Sequence, residues 1–294
     1  MDLLGFVARV NGVTNDLALD FINDFVIEKC VLGKEHPVPL DEAGELRLWL
    51  VTWMFVYFGT LVLYFLAAGS HYLLFFVLFK ESYIPDYKPN YKEMWREIRF
   101  SVTSLVTMSA MVTPSEVLVH KGFTKLYENV DEYGLGYFLL SPILFLLFSD
   151  FIIYWVHRFL HHRLVYKYIH KPHHSFVHTT PFAAFAFHPL DGYMQGVAYH
   201  IFVYFIPFHT FMHLASLGIV GLWTINIHDR VDMGIPLING AGHHRVHHLT
   251  FNHNYGQYFV IFDWLFGTMR DPKKWANLME SEESVYGDDA KKVD

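Results

Sequence analysis

Long stretches without formal charge constrain this chain most strongly. Residues 48–79 contain no Asp, Glu, Lys or Arg, and the same holds for residues 192–227. A helix needs about 20 apolar residues to cross the hydrocarbon core of a bilayer. The first stretch therefore predicts one strongly tilted transmembrane helix, or one that breaks near Gly69 and Ser70. The second stretch has Pro207 near its middle, which predicts a hairpin of two helices that enters and leaves the membrane on one side.

Two further stretches complete the predicted membrane region. Residues 100–115 and residues 135–156 are each apolar enough for a span, although the second contains Asp150 near its end. Only 17% of the residues are charged, whereas soluble domains carry about 25%. Buried helices of a soluble protein rarely reach these lengths. We therefore expect an all-α, polytopic membrane protein with about four to five transmembrane helices.

Charge and cysteine content exclude other classes of protein. The formal net charge of −7 argues against a nucleic-acid binder, which would have a basic surplus. The hydrophobic content of 53% argues against a disordered chain. The single cysteine, Cys30, excludes a disulfide framework and any thiolate-rich metal site.

Basic residues predict the orientation in the membrane, because they are retained on the cytosolic side. Five of them lie between the first two predicted spans: Lys80, Lys88, Lys92, Arg96 and Arg99. This loop is therefore expected in the cytosol, with a polar luminal segment at residues 1–46, a membrane-embedded domain at residues 47–275 and a cytosolic tail at residues 276–294. Lys291 and Lys292 fit a dilysine retrieval signal of the endoplasmic reticulum or an ordinary charged tail.

Histidines cluster where the predicted spans meet the cytosol, which predicts a histidine-rich cap. Residues three and four apart share one face of a helix, and neutral imidazole is a good ligand for iron, zinc or copper. Eight histidines in phase suit two metal ions, with the choice between His161 and His162 left open. The three boxes are His157, His161 and His162; His170, His173 and His174; and His243, His244, His247 and His248. The eight in phase are His157, His161, His170, His173, His174, His244, His247 and His248.

Other polar residues near the boxes are further candidates. His228 is expected to be a ligand, whereas His188 is either a ligand or a neighbour of the ligands. Asp191 and Asp229 either accept the free ring N–H of a ligand histidine or are solvated charges. Asp150, seven residues before His157, either faces the cluster or pairs with Arg158. His209 and His213 also lie four residues apart, but they follow Pro207 at the luminal turn, so we expect them at the interface and outside the site.

The sequence lacks the motifs of other redox and hydrolytic sites. It contains no HExxH, no Glu-x-x-His pair and no GxGxxG fingerprint. Since no site for a flavin or nicotinamide is evident, electrons for any redox chemistry must come from a partner. Basic residues near the boxes either dock an acidic electron carrier or are ordinary positive-inside charges: Arg158, Arg163, Lys167, Lys171 and Arg245.

From about residue 151 to residue 273 the sequence resembles the fatty acid hydroxylase superfamily of membrane-bound di-iron oxidases. The boxes mark the superfamily, whereas the segments Ala-Phe-His-Pro-Leu-Asp-Gly at 186–192 and Asn-x-Asn-Tyr-Gly-Gln at 252–257 are similar to the sterol C5-desaturases. Phe159, Thr250 and His253 depart from residues that are frequent in that family, but no metal position in the boxes is lost.

This resemblance implies a multi-pass enzyme of the endoplasmic reticulum whose active site faces the cytosol. It would use two iron ions, O2 and electrons from cytochrome b5 and its NADH-dependent reductase to insert the C5–C6 double bond into a Δ7-sterol. No haem, flavin or nicotinamide would be bound by this chain. The expected ligands are His157, His161, His162, His170, His173, His174, His228, His244, His247 and His248, supported by His188 and Asp191. Aromatic residues that either line the sterol pocket or simply pack are Phe182, Phe185, Phe187, Tyr193 and Trp223.

Alternative functions remain open at this point. Within the same chemistry, the chain would be a sterol C4-methyl oxidase or a fatty acyl hydroxylase. Outside it, the histidines would belong to a membrane metal transporter or a bis-histidine haem carrier. A transporter places its ligands near the bilayer midplane, whereas the boxes lie past the ends of the predicted spans.

Overall fold

The computed structural model describes residues 40–275 except residues 178 and 233. The greater part of the predicted luminal segment and the whole tail, including Lys291 and Lys292, lie outside the described residues. What is described is almost entirely helical, which confirms the all-α prediction. The helices are α1 (Leu40–His71), α2 (Lys80–Tyr83), α3 (Tyr91–His120), α4 (Gly134–Leu160), α5 (Arg163–Tyr166), α6 (Lys171–His174), α7 (Pro189–Phe205), α8 (Thr210–His228), α9 (Ala241–Thr250) and α10 (Ile261–Leu265).

Short elements connect these helices. A π-helical segment, Tyr72–Leu78, continues α1, and single 3₁₀ turns lie at Val130–Glu132, Pro181–Phe185 and Pro272–Trp275. Two strands, β1 (Leu126–Tyr127) and β2 (Phe208–His209), form a parallel pair in which Leu126 lies opposite Phe208. This pair ties the α3–α4 connection to the turn between α7 and α8.

Four helical segments are long and apolar enough to cross a membrane: Glu45–Leu78, Tyr91–His120, Gly134–Leu160 and Thr210–His228. Their outward side chains are largely apolar, as Leu63 and Leu66 on α1 illustrate with about two thirds of their surface exposed (64% and 63%). A lipid-facing surface has this character. Two helices, α7 and α8, lie on either side of Pro207 as predicted, but α7, at 17 residues, is not among the four candidate spans.

The first span does not break at Gly69 and Ser70. The Ser70 hydroxyl donates to the Leu66 carbonyl at 2.6 Å, and the helix continues through this turn before it widens at Tyr72. A side chain that returns to the carbonyl of the preceding turn keeps the backbone polar groups satisfied in an apolar environment. The second span is also longer than its charge-free stretch, because α3 begins at Tyr91, where the Asn90 side chain accepts from the Glu93 N–H.

Aromatic packing brings the helix ends together. Phe145 of α4 stacks on Phe208, with ring centroids 5.3 Å apart, and both pack against Phe202 of α7 in a fully buried cluster. A second cluster joins Tyr64 of α1 to the 3₁₀ turn at 181–185 and to α8. Offset and edge-to-face ring pairs of this kind add stability beyond simple burial.

A polar stripe on α3 fixes the segment 180–187. Glu97, 1% exposed, accepts from the Thr180 N–H at 3.1 Å and also from the Thr180 hydroxyl. One and two turns later, the Ser101 hydroxyl donates to the Phe182 carbonyl at 3.0 Å and the Ser104 hydroxyl to the Phe187 carbonyl at 2.5 Å. Because positions 97, 101 and 104 share one helix face, this segment is held along its length.

Replacing Glu97 by Ala should destabilise the protein. Two buried donors of Thr180 would lose their acceptor, at a cost of about 1–3 kcal/mol each. Glu93→Ala is the matched control, because Glu93 lies one turn away on the surface and forms only an exposed ion pair with Arg96, worth about 0–1 kcal/mol. Thermal unfolding in detergent should show a clear loss for the first variant and little for the second. Equal midpoints would contradict the role given to Glu97.

Candidate metal centre

Nine histidines converge into two adjoining groups. Within each group, one ring nitrogen of every member lies within 4.8 Å of those of the others. The five-histidine group consists of His157, His161, His170, His174 and His247, and the four-histidine group of His173, His228, His244 and His248. All are buried except His161, which is half-buried.

Helix ends deliver these rings. His157 lies in the last turn of α4 and His228 is the last residue of α8. Neighbouring residues on the short helix α6 go to different groups, His173 to the four-histidine group and His174 to the five-histidine group. Residues 247 and 248 of α9 diverge in the same way. The two groups therefore share α6 and α9 as a common wall, and the rings of His174 and His248 approach to 4.5 Å across it.

Hydrogen bonds fix the tautomer of five of these rings. Each has its Nδ1 next to an oxygen that can only accept, so the proton resides on Nδ1 and the Nε2 lone pair points into the cluster. In the five-histidine group, the Nδ1 atoms of His157, His170 and His247 donate to Tyr255 O (3.0 Å), Asp191 Oδ2 (2.7 Å) and His253 O (2.7 Å). In the four-histidine group, those of His173 and His228 donate to Ala186 O (3.3 Å) and Thr224 O (2.7 Å).

Facing lone pairs make the cluster a fit for metal ions. His157 and His170 bring their Nε2 atoms to 3.2 Å, although both protons are on Nδ1. His173 and His228 do the same at 3.4 Å. Two lone pairs at this distance repel unless a cation lies between them. A metal–nitrogen distance of about 2.1 Å puts neighbouring ligand nitrogens about 3.0–3.4 Å apart, and the contacts within the two groups span 3.0–3.4 Å.

The rings are held in the neutral form that binds metal. Burial lowers the pKa of His161 most strongly. The charges of neighbouring histidines lower it further, and His157 contributes the most among them. The same two causes lower the pKa of five further rings well below the usual value: His173, His174, His244, His247 and His248. Protons therefore do not compete with a cation for these nitrogens at neutral pH.

Asp191 occupies the position predicted for a carboxylate that supports a ligand. It is fully buried, accepts from His170 Nδ1 at 2.7 Å, and is itself held by the Gln195 amide at 2.7 Å. His188 is not in either group. Its Nδ1 accepts from the Leu190 N–H at 3.3 Å and caps α7.

His162 also lies apart from the cluster. It is exposed, and its Nδ1 accepts from the Leu164 N–H at the start of α5. The structure thus places His161 in the five-histidine group. His162, which was also predicted as a ligand, lies outside both groups. The reason is geometric: the ring of His161 lies one turn beyond His157 on the same face, whereas the chain leaves the helix at His162 in an extended conformation.

Two carboxylates differ from their predicted roles. Among the described contacts, Asp229 meets no histidine; it accepts from the Val231 N–H at 2.8 Å and from the Asn226 amide. The described partners of Asp150 are neither histidines nor Arg158; its two oxygens accept backbone N–H groups of residues 257–259. A buried carboxylate needs several donors, and in both cases the nearby backbone supplies them.

His209 and His213 stay outside both groups, as predicted. They are buried rather than interfacial, however, and His209 Nε2 donates to the Glu128 carbonyl at 2.8 Å. The parallel pairing of β1 with β2 explains the burial of His209, because it draws the turn after Pro207 under the connection between α3 and α4.

Of the aromatic residues predicted to contact substrate, Phe187 is the one that the described contacts bring to the cluster. Its ring stacks on His173 with centroids 4.3 Å apart. Phe182 and Phe185 pack edge-to-face on Tyr64 of α1. Trp223 donates to the Gln257 carbonyl at 2.7 Å, and Tyr193 is half-buried.

An open cleft of about 500 Å³ borders the five-histidine group, because His161 is one of the residues that line it. The lining is mixed, with one cation and several aromatic rings: Trp155, Arg158, Phe159, His161, His162, Asn252, Tyr255 and Thr268. The two groups therefore differ in surroundings, because the first borders an open cleft of mixed lining and the second meets the ring of Phe187.

The model of the fatty acid hydroxylase family matches residues 142–268. The chain is 42% identical to human lathosterol oxidase over 223 residues. This aligned region covers 74% of each protein. It is 36% identical over 260 residues to a Delta(7)-sterol 5(6)-desaturase of Schizosaccharomyces pombe, covering 87% of this chain and 84% of that protein.

The chain belongs to the fatty acid hydroxylase family. A third relative, a Delta(7)-sterol 5(6)-desaturase of Gibberella zeae, is 40% identical over 260 residues, which cover 87% of this chain and 72% of that protein. No solved structure matches the chain significantly. The sequence named all nine of these histidines as candidate ligands but not their division into two groups. It also missed Asp263 and Asn239, which hold the loop beside His157. A carboxylate inside the apolar run Ile261–Leu265 was the available signal.

Substitution of two adjacent histidines tests the assignment of the cluster. His161→Ala should lose metal, because one nitrogen of the five-histidine group is removed, and turnover should fall below detection. His162→Ala should retain metal and most turnover, because the hydrogen bond described for that ring is to the Leu164 N–H and not to the cluster. Metal content per purified chain, measured by elemental analysis, provides the comparison. Loss in the second variant with retention in the first would reverse the assignment.

Proposed function

We propose that this chain is a Δ7-sterol 5(6)-desaturase, an oxidoreductase of sterol biosynthesis in the endoplasmic reticulum membrane. The observation that supports it most strongly is the pair of histidine groups at the ends of membrane-spanning helices, in a chain whose relatives carry that name. The metal proposed for the two groups is iron, one ion in each. Residues 1–46 would be luminal, residues 47–275 would form the membrane domain, and residues 276–294 would be a cytosolic tail.

The reaction balances with one molecule of O2. The sterol loses one hydrogen from C5 and one from C6, which supplies two electrons and two protons. A carrier supplies two more electrons and the solvent two more protons, so that O2 is reduced to two molecules of water and the C5–C6 double bond forms. Two bound irons would supply the oxidant that breaks unactivated C–H bonds, chemistry that side chains alone do not provide.

The residues of the chain would hold and orient the reactants. The sterol carbons must stay within about 3–3.5 Å of the reacting atom. Phe187, stacked on His173, would form the apolar wall at the four-histidine group. The Ser104 hydroxyl donates to the Phe187 carbonyl, so the backbone that carries this ring is fixed. An apolar substrate already resides in the bilayer, and we infer that it enters sideways between helices near Phe182 and Phe185.

Electrons would enter from the opposite side. The cleft that His161 helps to line also has Arg158 in its wall, and Arg163, Lys167 and Lys171 are exposed on the following segment. This basic face would dock an acidic carrier, proposed to be cytochrome b5 reduced by its NADH-dependent reductase. The positive charge also supports a cytosolic orientation for the histidine groups.

Sterol profiling of a cell that lacks its own C5-desaturase tests the function. Expression of this chain should convert accumulated Δ7-sterol into the Δ5,7-product, and the His173→Ala variant should not. Unchanged Δ7-sterol beside normal protein levels would refute the desaturase assignment. Conversion of a 4-methyl sterol or a fatty acyl chain instead would identify a related oxidase of the same family.

Neutralising the basic face should weaken the use of the carrier without affecting the metal. The double variant Arg163→Gln with Lys167→Gln should raise the KM for reduced cytochrome b5 several-fold at low salt, and the difference should shrink as salt screens the charges. Lys121→Gln is the control, because Lys121 follows the C-terminal end of α3, apart from the basic face, and pairs with Glu45. Steady-state kinetics with purified carrier measure this effect. An unchanged KM at all salt concentrations would exclude these residues from the docking face.

A further inference from the structure

Five consecutive backbone N–H groups, those of residues 255–259, donate to only two side chains. Asp263 accepts the first two and Asp150 the next three. The distances are 2.8 Å from Tyr255 and 2.8 Å from Gly256 to Asp263, and 2.7 Å from Gln257, 2.9 Å from Tyr258 and 3.2 Å from Phe259 to Asp150. A loop rarely has a complete run of its amides bound by carboxylates, and charge-assisted hydrogen bonds are stronger than neutral ones.

The two carboxylates come from distant parts of the chain and are fully enclosed. Asp150 lies on α4, two turns before His157, and is 0% exposed, while Asp263 lies on α10 and is 1% exposed. The Thr268 hydroxyl also donates to Asp263, at 2.7 Å. Burying a carboxylate is costly unless donors surround it, and here the loop amides are those donors.

The carbonyls of the loop are held as firmly as its amides. Asn239 donates through its side chain to the Gly256 carbonyl and through its backbone N–H to the Tyr258 carbonyl at 2.8 Å. A Cβ added at Gly256 would lie 2.5 Å from the Phe259 carbonyl oxygen and 3.0 Å from Asp263 Oδ2. This close approach leaves no room for a side chain at position 256, so the packing of the loop against Asp263 requires glycine there.

This stretch of chain supports one histidine group only. The Tyr255 carbonyl accepts from His157 Nδ1, and the His253 carbonyl two residues earlier accepts from His247 Nδ1. Both rings belong to the five-histidine group. The Nδ1 contacts described for the four-histidine group go elsewhere, from His173 to Ala186 and from His228 to Thr224.

We propose that Asp150 and Asp263 are positioning residues that set the metal affinity of the five-histidine group independently of the four-histidine group. They fix residues 255–259, and the Tyr255 carbonyl of this loop keeps His157 protonated at Nδ1. The His253 carbonyl, two residues before the loop, does the same for His247, so the Nε2 lone pairs of both rings stay aimed at the site. The proposal rests on the binding of one metal ion in each group, but not on the identity of the sterol. The aspartates act on His157 through the loop backbone, since the direct partner of this ligand is the Tyr255 carbonyl. Mutation of outer-shell partners of metal ligands typically costs about 10- to 100-fold in metal affinity, and we expect an effect on this scale.

A chelator titration tests the proposal. Full-length Asp150→Asn protein is purified in detergent, loaded anaerobically with Fe²⁺ and titrated with a ferrous chelator. The Asn side chain has nearly the same shape but presents an N–H₂ group to at least one loop amide, so that one acceptor is lost. We expect one of the two irons to leave at about 10- to 100-fold lower chelator concentration than in the unmodified protein, and the second at the unmodified concentration. Glu116→Gln is the matched control, because Glu116 is a carboxylate on a spanning helix that pairs with His200 away from the cluster, and it should release both irons normally.

The Asp263→Asn variant repeats the test with the three Asp150 contacts intact. It is the deciding variant if Asp150→Asn does not yield monodisperse protein. Release of both irons at unchanged chelator concentration, or an equal shift of both, overturns the independent positioning of the five-histidine group. His157→Ala provides the reference for the iron that is lost. If that variant keeps two tightly bound irons, the proposed metal centre itself fails, which separates this outcome from a failure of the two aspartates or of the sterol assignment.

Discussion

The site depends on one physical constraint. The lone pairs of its buried imidazole rings face one another and repel unless a cation lies between them. Nine rings meet at nitrogen–nitrogen distances of about 3 Å, and acceptors at Nδ1 turn the lone pairs of at least five of them inward. Such an arrangement is unfavourable on its own and becomes favourable around cations, because each lone pair then has a partner. The long helices and their aromatic clusters supply the stability that keeps the rings together before a metal binds.

The same constraint explains how the surrounding residues are used. Each side of the cluster is fixed by different residues. The polar stripe of α3, which ends at Ser104, holds segment 180–187, and Asp191 holds His170. The loop at residues 255–259, bound by Asp150 and Asp263, holds His157. The groups consequently have different neighbours, with Phe187 against one and an open cleft against the other. The proposed desaturase would need this separation, because its substrate side must stay dry.

Sequence reasoning succeeded where the covalent spacing determines the geometry. Stretches without charge predicted the spans, since length and hydropathy suffice for that, and positions 157 and 161 share a helix face wherever the helix lies. It failed where the partner is remote in sequence. Asp150 meets amides more than a hundred residues later, and nothing local distinguishes that role from a contact with Arg158. The assignment of His173 and His174 to different groups also depends on tertiary packing, because adjacent residues on a short helix point in different directions.

The central claim is that these nine histidines bind two metal ions, five around one and four around the other. A cryo-electron microscopy map of the iron-loaded protein, at a resolution that separates side chains from ions, tests it most directly. The account predicts two density peaks, each within bonding distance of the Nε2 atoms of one group. A single peak, a peak coordinated by His162 or His209, or a planar haem-shaped density between the helices would contradict it.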